Sequence, residues 1–232
     1  MSVFRMETIA RKTKYVSGLP RHGDRAGGDP SPKTSFGVFK GIEAAVKFKL
    51  GRDSVEGLTI AVQGIGHVGY YLCKYLSEAG ARLLVADIDK ERSKRACDEF
   101  AAVDVDLNDI LFQEVAVVAP CAMGAVLNAE SIPRLRTSIV AGSANNQLNT
   151  QIDGQRLTDA GILYAPDYVI NGGGIINVAC EYYGNLGDAE VLQQVAEIGP
   201  RLTKIFEKAA VSGQPTSEIA DAEARKIIGS AR

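Results

Sequence analysis

LTIAVQGIGHVGYYLCKYLSEAGARLLVADID, residues 58–89, decides the fold. The apolar run 58–63 feeds directly into Gly64-Ile65-Gly66-His67-Val68-Gly69. A helical stretch, YYLCKYLSEAG, then closes on Gly80, and ARLLVADID gives a second strand that ends in acid. Strand, turn, helix and strand in about 30 residues is the length of a βαβ crossover. Each glycine of the turn has its own reason. Gly64 permits the tight exit from the strand, Gly66 leaves room for a pyrophosphate, and Gly69 lets the helix pack against the strand. The helix N-terminus, with His67 and Val68 in its first turn, presents its amides and dipole to the phosphates. Asp87 stands 18 residues beyond Gly69, with Ile88 beside it. Its carboxylate can accept both hydroxyls of an adenosine ribose, and a 2′-phosphate would meet negative charge there, so NAD is favoured over NADP. Asp89 is near enough to share that task, and Lys90 slightly weakens the exclusion.

Outward from this unit the chain keeps alternating. Val3, Met6 and Ile9 give residues 1–19 helical spacing. Residues 20–33, PRHGDRAGGDPSPK, read as a loop or hinge. Thr34 and Ser35 precede a helix that Gly51 stops. SKRACDEF (93–100) is helical and VDVDLND (103–109) a short polar stretch. VAVVAP (115–120) is a third strand, TSIVAG (137–142) a fourth and ILYAPDYV (162–169) a fifth, with short helices expected over 130–135 and 156–161. From about Ile175 the chain reads mainly as helix through Ala210, and a last helix over 216–229 starts behind the cap candidates Thr216 and Ser217. Apolar strands alternating with helices imply an α/β protein, a doubly wound, mostly parallel sheet with flanking C-terminal helices.

Composition narrows the function. A net charge of −2 over 232 residues excludes a basic nucleic-acid footprint. No apolar run approaches the roughly 20 residues of a membrane span, and the N-terminus lacks the apolar centre of a secretory signal, so a cytoplasmic location is expected. Cys73, Cys97, Cys121 and Cys180 fit no metal-binding spacing and read as reduced, mostly buried thiols. His22 and His67 are too few and too isolated for a metal site.

Four segments carry a family resemblance: GDPSPKTSFGVFKGI (28–42), VAPCAMGAVLN (118–128), VAGSANNQL (140–148) and YAPDYVINGGGIINV (164–178). In this order they resemble the Glu/Leu/Phe/Val dehydrogenase family, most of all its bacterial leucine-oxidising members, from about Thr13 to the C-terminus. The resemblance implies NAD-dependent oxidative deamination of a branched-chain L-amino acid to a 2-oxo acid and ammonia. It implies that Thr34 bonds the nicotinamide carboxamide. Gly64, Gly66 and Gly69 turn around the pyrophosphate, and Asp87 takes the ribose. Ala119 and Pro120 line the path of the cofactor, and Asn145 and Asn171 hold the nicotinamide ribose or amide. Ile175 and Val178 align with side chains that line the substrate pocket. An aliphatic pocket prefers leucine, isoleucine or valine by about 1–3 kcal/mol per methylene. Turn-stabilising roles for the two asparagines, and plain packing for Ile175 and Val178, are the competing readings.

The family's catalytic lysines, one in a GGGK-type segment, and its aspartate in a DVGT-like segment find no match. The one triple glycine, Gly172-Gly173-Gly174, is followed by Ile175, and Lys33 lies outside the family's lysine context. Residues 1–33 are therefore expected to be an inter-domain helix and hinge, 34–180 the NAD-binding domain, and 181–232 helices that pack back on a catalytic domain absent from this sequence. Gly172, where alanine is usual, and Cys180, where a polar residue is expected, are minor departures. Three readings stay open: the NAD-binding portion of an amino acid dehydrogenase, a non-catalytic NAD-binding regulatory module, or one subunit of a split enzyme. Family members are expected to be homo-oligomers, and a partner could supply the N-terminal domain.

Overall fold

The computed structural model describes residues 3–20, 26–184 and 186–230. His22 lies outside the described residues. Six strands, β1 (Thr59–Gln63), β2 (Arg82–Ala86), β3 (Val103–Asp104), β4 (Val115–Pro120), β5 (Thr137–Val140) and β6 (Leu163–Tyr164), form one sheet in the order β3-β2-β1-β4-β5-β6. Every pairing is parallel, with Ile60 opposite Leu83 on one side and Val117 on the other. The chain winds outward from β1 in one direction and from β4 in the other. The connection after β1 runs out toward β2 and the one after β4 toward β5, so the strand order reverses between β1 and β4, and it is in the crevice beyond the carboxyl ends at such a point that sheets of this kind bind ligands.

Alternation along the strands buries both faces of the sheet. Ile60, Val62, Val117, Ala119 and Ile139 enter the main core. The intervening Ala61 and Val118 face a second cluster around Ile110 and Leu111, and Val140 faces a third around Leu127 and Leu157. The main core is capped by α2 (Ser31–Leu50) and α3 (His67–Glu78), with α9 (Ile198–Ser212) laid across α2. Close approach requires glycine on α2. A Cβ at Gly37 would stand 2.6 Å from Ile198 Cδ1, and one at Gly41 would stand 2.5 Å from Ile170 Cγ1.

Several boundaries differ from the sequence expectations. The first helix, α1 (Val3–Ala10), is half the expected length, because residues 11–20 are irregular. The second begins at Ser31 rather than Thr34, with Pro32 in its first turn. Val103–Asp104, read as a polar stretch, is an edge strand paired with β2. Both of its residues are exposed, so it carries no apolar signal. ILYAPDYV is a strand over Leu163–Tyr164 alone. Pro166 ends the extended run and starts α6 (Asp167–Ile170). The long C-terminal helical run is three helices, α7 (Gly173–Tyr183), α8 (Asp188–Ala196) and α9, broken at Gly184 and Glu197. The remaining helices are α4 (Lys90–Phe100), α5 (Ile152–Asp159) and α10 (Thr216–Ser230), the last packed on α9, α5 and β6.

Candidate dinucleotide-binding site

The glycine turn lies at the carboxyl end of β1, beside the point where the strand order reverses. Gly64 has a φ of +93°, open to glycine at little cost, and a Cβ there would stand 2.6 Å from the Ala122 Cβ. A Cβ on Gly69 would stand 1.9 Å from the Gly64 carbonyl oxygen, so helix α3 can start against the turn only without a side chain there. Gly66 differs from both. Its Cβ position meets nothing nearer than Arg92 Nη1 at 4.0 Å, which leaves a clear face above the N-terminus of α3. Two glycines thus satisfy the fold, and the third leaves the room a pyrophosphate needs.

Asp87 is 5% exposed. Its Oδ2 accepts from the Ile65 N–H at 2.6 Å and its Oδ1 from the Asp89 N–H at 2.8 Å. The acid therefore braces the glycine turn from β2 and orders the start of α4. Sequence reasoning favoured ribose recognition over a structural role for it and did not identify this bracing. Asp89 caps α4 by accepting from the Glu91 N–H, while Lys90 pairs with Asp104 on the sheet edge. Ile88 is 87% exposed, a bare apolar side chain next to Asp87. His67 sits on the surface with Nδ1 3.4 Å from Asp29 Oδ2. Burial of Asp29 acts against its charge, but bonds from Ser31 and the nearby His67 outweigh it and lower the carboxyl below its ordinary range. Val68 is half-buried, and its carbonyl accepts from the buried Ser35 hydroxyl at 2.7 Å, which fixes α3 to α2.

At the other end of the crevice, Asn145 and Asn171 meet. Asn171 Nδ2 donates to Asn145 Oδ1 at 2.7 Å and to the Ser143 carbonyl at 3.2 Å. Asp167 makes the meeting possible. Its Oδ2 accepts from the Gln147 N–H at 2.9 Å and its Oδ1 from the Tyr168 N–H at 2.7 Å, which joins the NNQL loop to α6. Gln147 is fully buried, and its Nε2 donates to the Gly142 and Ala144 carbonyls. The loops after β4 and β5 are also joined by a parallel bridge between Leu127 and Leu148.

Ala119 and Pro120 are buried at the end of β4, and the Ala119 methyl points into the core, so backbone rather than side chain is what this position offers the crevice. Thr34 donates to the Pro30 carbonyl at 3.0 Å, and its Oγ1 would stand 2.6 Å from a Cβ on Gly174. The Gly173 position is tighter still, 2.3 Å from the Lys33 carbonyl oxygen. The glycine run is where α7 crosses the start of α2. Lys33 is paired with Asp188 at 2.7 Å and nearly buried. Ile175 is exposed over a groove of about 600 Å³ whose lining includes Gly172, Pro200, Ile205 and Ile227. Val178, one turn on, is half-buried and lies outside that lining.

Glu181 was also missed. Its carboxylate accepts from the Gly18 and Leu19 N–H groups at 2.7 and 2.9 Å, anchoring the segment before α2 to α7. All four cysteines are free thiols, Cys73 and Cys180 buried and Cys97 and Cys121 partly so. Burial raises the pKa of Cys73, Cys121 and Cys180, which keeps them protonated. Among the described residues no cluster could hold a metal, and no helix is long and apolar enough to cross a membrane.

Residues 29–91 and 85–226 match the model of the Glutamate/Leucine/Phenylalanine/Valine dehydrogenase family. The chain belongs to this family. It is 44% identical over 228 residues to leucine dehydrogenase of Geobacillus stearothermophilus, covering 98% of this chain and 61% of that protein. With leucine dehydrogenase of Thermoactinomyces intermedius the identity is 46% over 224 residues, 96% of this chain and 60% of the relative. The crystal structure of L-tryptophan dehydrogenase from Nostoc punctiforme superposes with a TM-score of 0.86 at 40% identity, over 97% of this chain and 64% of that one. The chain thus spans about three-fifths of the length of these family members.

Proposed function

We propose that these residues bind NAD(H) for an amino acid dehydrogenase that oxidises a branched-chain L-amino acid to the 2-oxo acid and ammonia. The observation that carries this reading is the clear face above Gly66, set between the braced Asp87 at one end of the crevice and the Asn145–Asn171 pair at the other. Bound there, NAD supplies a nicotinamide that accepts a hydride from the amino acid Cα. Gly64, Gly66 and Gly69, with the first amides of α3 at His67 and Val68, bind the pyrophosphate. Asp87 accepts from the ribose, and Ile88 gives the adenine an apolar surface. The backbone at Ala119 and Pro120 borders the path of the cofactor. Thr34, Asn145 and Asn171 orient the nicotinamide end, since an amide carries both donors and an acceptor.

Residues 34–180 are proposed to form this cofactor domain, with 1–33 as hinge and 181–232 as helices whose outer faces meet the catalytic domain. Ile175 and Val178 are proposed to line the aliphatic side of the substrate pocket. Similarity to enzymes named for leucine supports a branched aliphatic substrate. The 232 residues contain neither a GGGK nor a DVGT segment, and Lys33 lies outside the family's lysine context, so the base that activates water is assigned to groups outside this sequence.

The test is L-leucine-dependent NADH formation by the purified chain at alkaline pH, with NADH binding measured on the same sample. Binding without turnover is expected. Full turnover would remove the assignment of the base to another segment, and absence of binding would remove the cofactor assignment itself.

A further inference from the structure

We propose that the amino ends of the strands carry a second ligand site, an arginine-lined trough that takes an oligophosphate group; it does not depend on the dinucleotide reading above. The trough has a volume of about 990 Å³ and runs along the starts of β1, β2, β4 and β5. Arg52, Arg82 and Arg136 line it, and among the described residues Glu114 is the one carboxylate in its walls. The walls are therefore positive on balance, in a chain whose net charge is −2.

Two of the guanidinium groups are fixed by backbone. Arg52 Nη2 donates to the Glu56 carbonyl at 2.6 Å, and Arg82 Nη2 donates to the Gly57 carbonyl at 3.0 Å. The acceptors belong to adjacent peptide units in the turn before β1, where Gly57 takes a φ of +70° and the Leu58 N–H donates to the Val55 carbonyl at 3.0 Å. Two like charges are thus hung side by side, and a neutral carbonyl cancels neither. Among the described residues no carboxylate forms an ion pair with Arg52, Arg82 or Arg136, whereas Arg92, Arg95 and Arg156 each pair with one. Most of each fork of N–H donors is left for a ligand. The hydroxyls of Thr59 and Ser138 line the same trough.

Arginine forks match the paired oxygens of phosphate. Linked phosphates can reach arginines on separate walls at once, which a single phosphate cannot, and each attachment makes the next one intramolecular. A concave space of this volume suits a small molecule. The opposite end of β1 carries the glycine turn, five residues and roughly 15 Å away, so the two sites do not overlap. A competing role for the arginines is to offset the negative carboxyl ends of helices that finish here, since Arg52 follows directly on Leu50 and Gly51 at the end of α2. That role predicts lost stability on substitution and no ligand.

The experiment is calorimetric titration of the 232-residue chain with inorganic tripolyphosphate, orthophosphate and ATP, with melting curves, repeated on Arg82→Gln, Arg136→Gln and Gly66→Ala. The wild type should bind tripolyphosphate at least about tenfold more tightly than orthophosphate, and each arginine substitution should weaken tripolyphosphate by about tenfold, the worth of one charge-assisted fork. Gly66→Ala, at the far end of the sheet, should change it by less than about twofold. Arg136 makes no side-chain hydrogen bond among the described residues, so its variant keeps the test open if Arg82→Gln fails to fold. ATP on Gly66→Ala separates the sources. Tighter binding than tripolyphosphate would support a nucleotide's phosphate tail as the occupant, and equal or weaker binding would support free oligophosphate. A wild type that binds no tripolyphosphate, or binds it no better than orthophosphate, would overturn the proposal, and lowered melting of the arginine variants would then assign them to the helix ends. Binding that survives both arginine substitutions, or is lost in Gly66→Ala alone, would overturn it as well.

Discussion

Asn171 Nδ2 donates to Asn145 Oδ1 at 2.7 Å, joining two loops that are 26 residues apart in the chain. The pair stands at the end of the crevice opposite the glycine turn. Each asparagine orients the other, so neither acts alone on a ligand. Asn145→Ala and Asn171→Ala should each weaken NADH binding by roughly three- to tenfold, the worth of one or two neutral hydrogen bonds. The double variant should lose less than the product of the two, because residues in one network do not add. Fluorescence titration of NADH on the four proteins checks this, and strict multiplicativity would mean that the pair is not coupled.

The three glycines of the turn separate binding from folding. Gly69→Ala places a methyl 1.9 Å from the Gly64 carbonyl oxygen and should cost about 3 kcal/mol or more. For a chain of this size that lowers the melting temperature by roughly 6–12 °C. Gly66→Ala meets open space and should melt within about 2 °C of the wild type, yet lose NADH affinity by roughly tenfold or more where the pyrophosphate would sit. Thermal melts and titrations of both variants give the answer. A Gly66→Ala protein that binds normally would place the phosphates elsewhere.

A similar contrast exists in the Gly172–Gly174 run. A Cβ at Gly172 would stand 3.2 Å from the Val169 carbonyl oxygen at a helical φ of −60°, so Gly172→Ala should change stability by less than about 1 kcal/mol. A Cβ at Gly173 would stand 2.3 Å from the Lys33 carbonyl oxygen, so Gly173→Ala should push α7 off α2 at a cost of about 2–3 kcal/mol. Urea unfolding of the two variants distinguishes these outcomes.

Asp153 gives stability a pH dependence. Burial opposes its charge, but the Thr150 hydroxyl and N–H and the Arg156 guanidinium outweigh that and lower its pKa. A carboxyl whose folded pKa is lowered contributes in full above its unfolded value, near about 3.9, and loses that contribution as pH falls through the folded value. Asp153→Asn should therefore cost about 1–2 kcal/mol at pH 7. The gap between variant and wild type should shrink below about pH 4. Denaturant melts at the two pH values check the sign. A gap that widens toward acid would contradict it.

What could be read in the sequence was what the chain states locally. The strand before Gly64 and the helix to Gly80 carry their own periodicities, and the spacing to Asp87 is fixed by one crossover. The edge strand Val103–Asp104 gave no signal, because an exposed pair at a sheet edge needs no apolar pattern. The break after Tyr164 was hidden by an apolar run that Pro166 turns from strand into helix. Asp87 was legible as a candidate for ribose recognition but not as a brace for Ile65, since that contact depends on how β1 and β2 lie side by side. Glu181 reaches Gly18 and Leu19, 163 and 162 residues away in the chain, and no local pattern reports such a contact. The Asn145–Asn171 contact was approached through the family resemblance. Its physical cause, the Asp167 carboxylate between the NNQL loop and α6, became visible only in three dimensions.

The bridge between Leu127 and Leu148 ties the loops after β4 and β5 into a short ladder. Ala125 N–H donates to the Asn146 carbonyl, Leu127 to Gln147, and Asn149 back to Leu127. Asn146, at a φ of +53°, turns the chain within it, and a Cβ on Gly124 would stand 2.6 Å from the Asn145 carbonyl oxygen. The two loops therefore cannot change length independently. One residue inserted in either would slip the ladder, drive a side chain into the Gly124 contact and carry Asn145 out of reach of Asn171. For any engineer or lineage altering this chain, the two loops form one unit of variation, to be lengthened together or not at all.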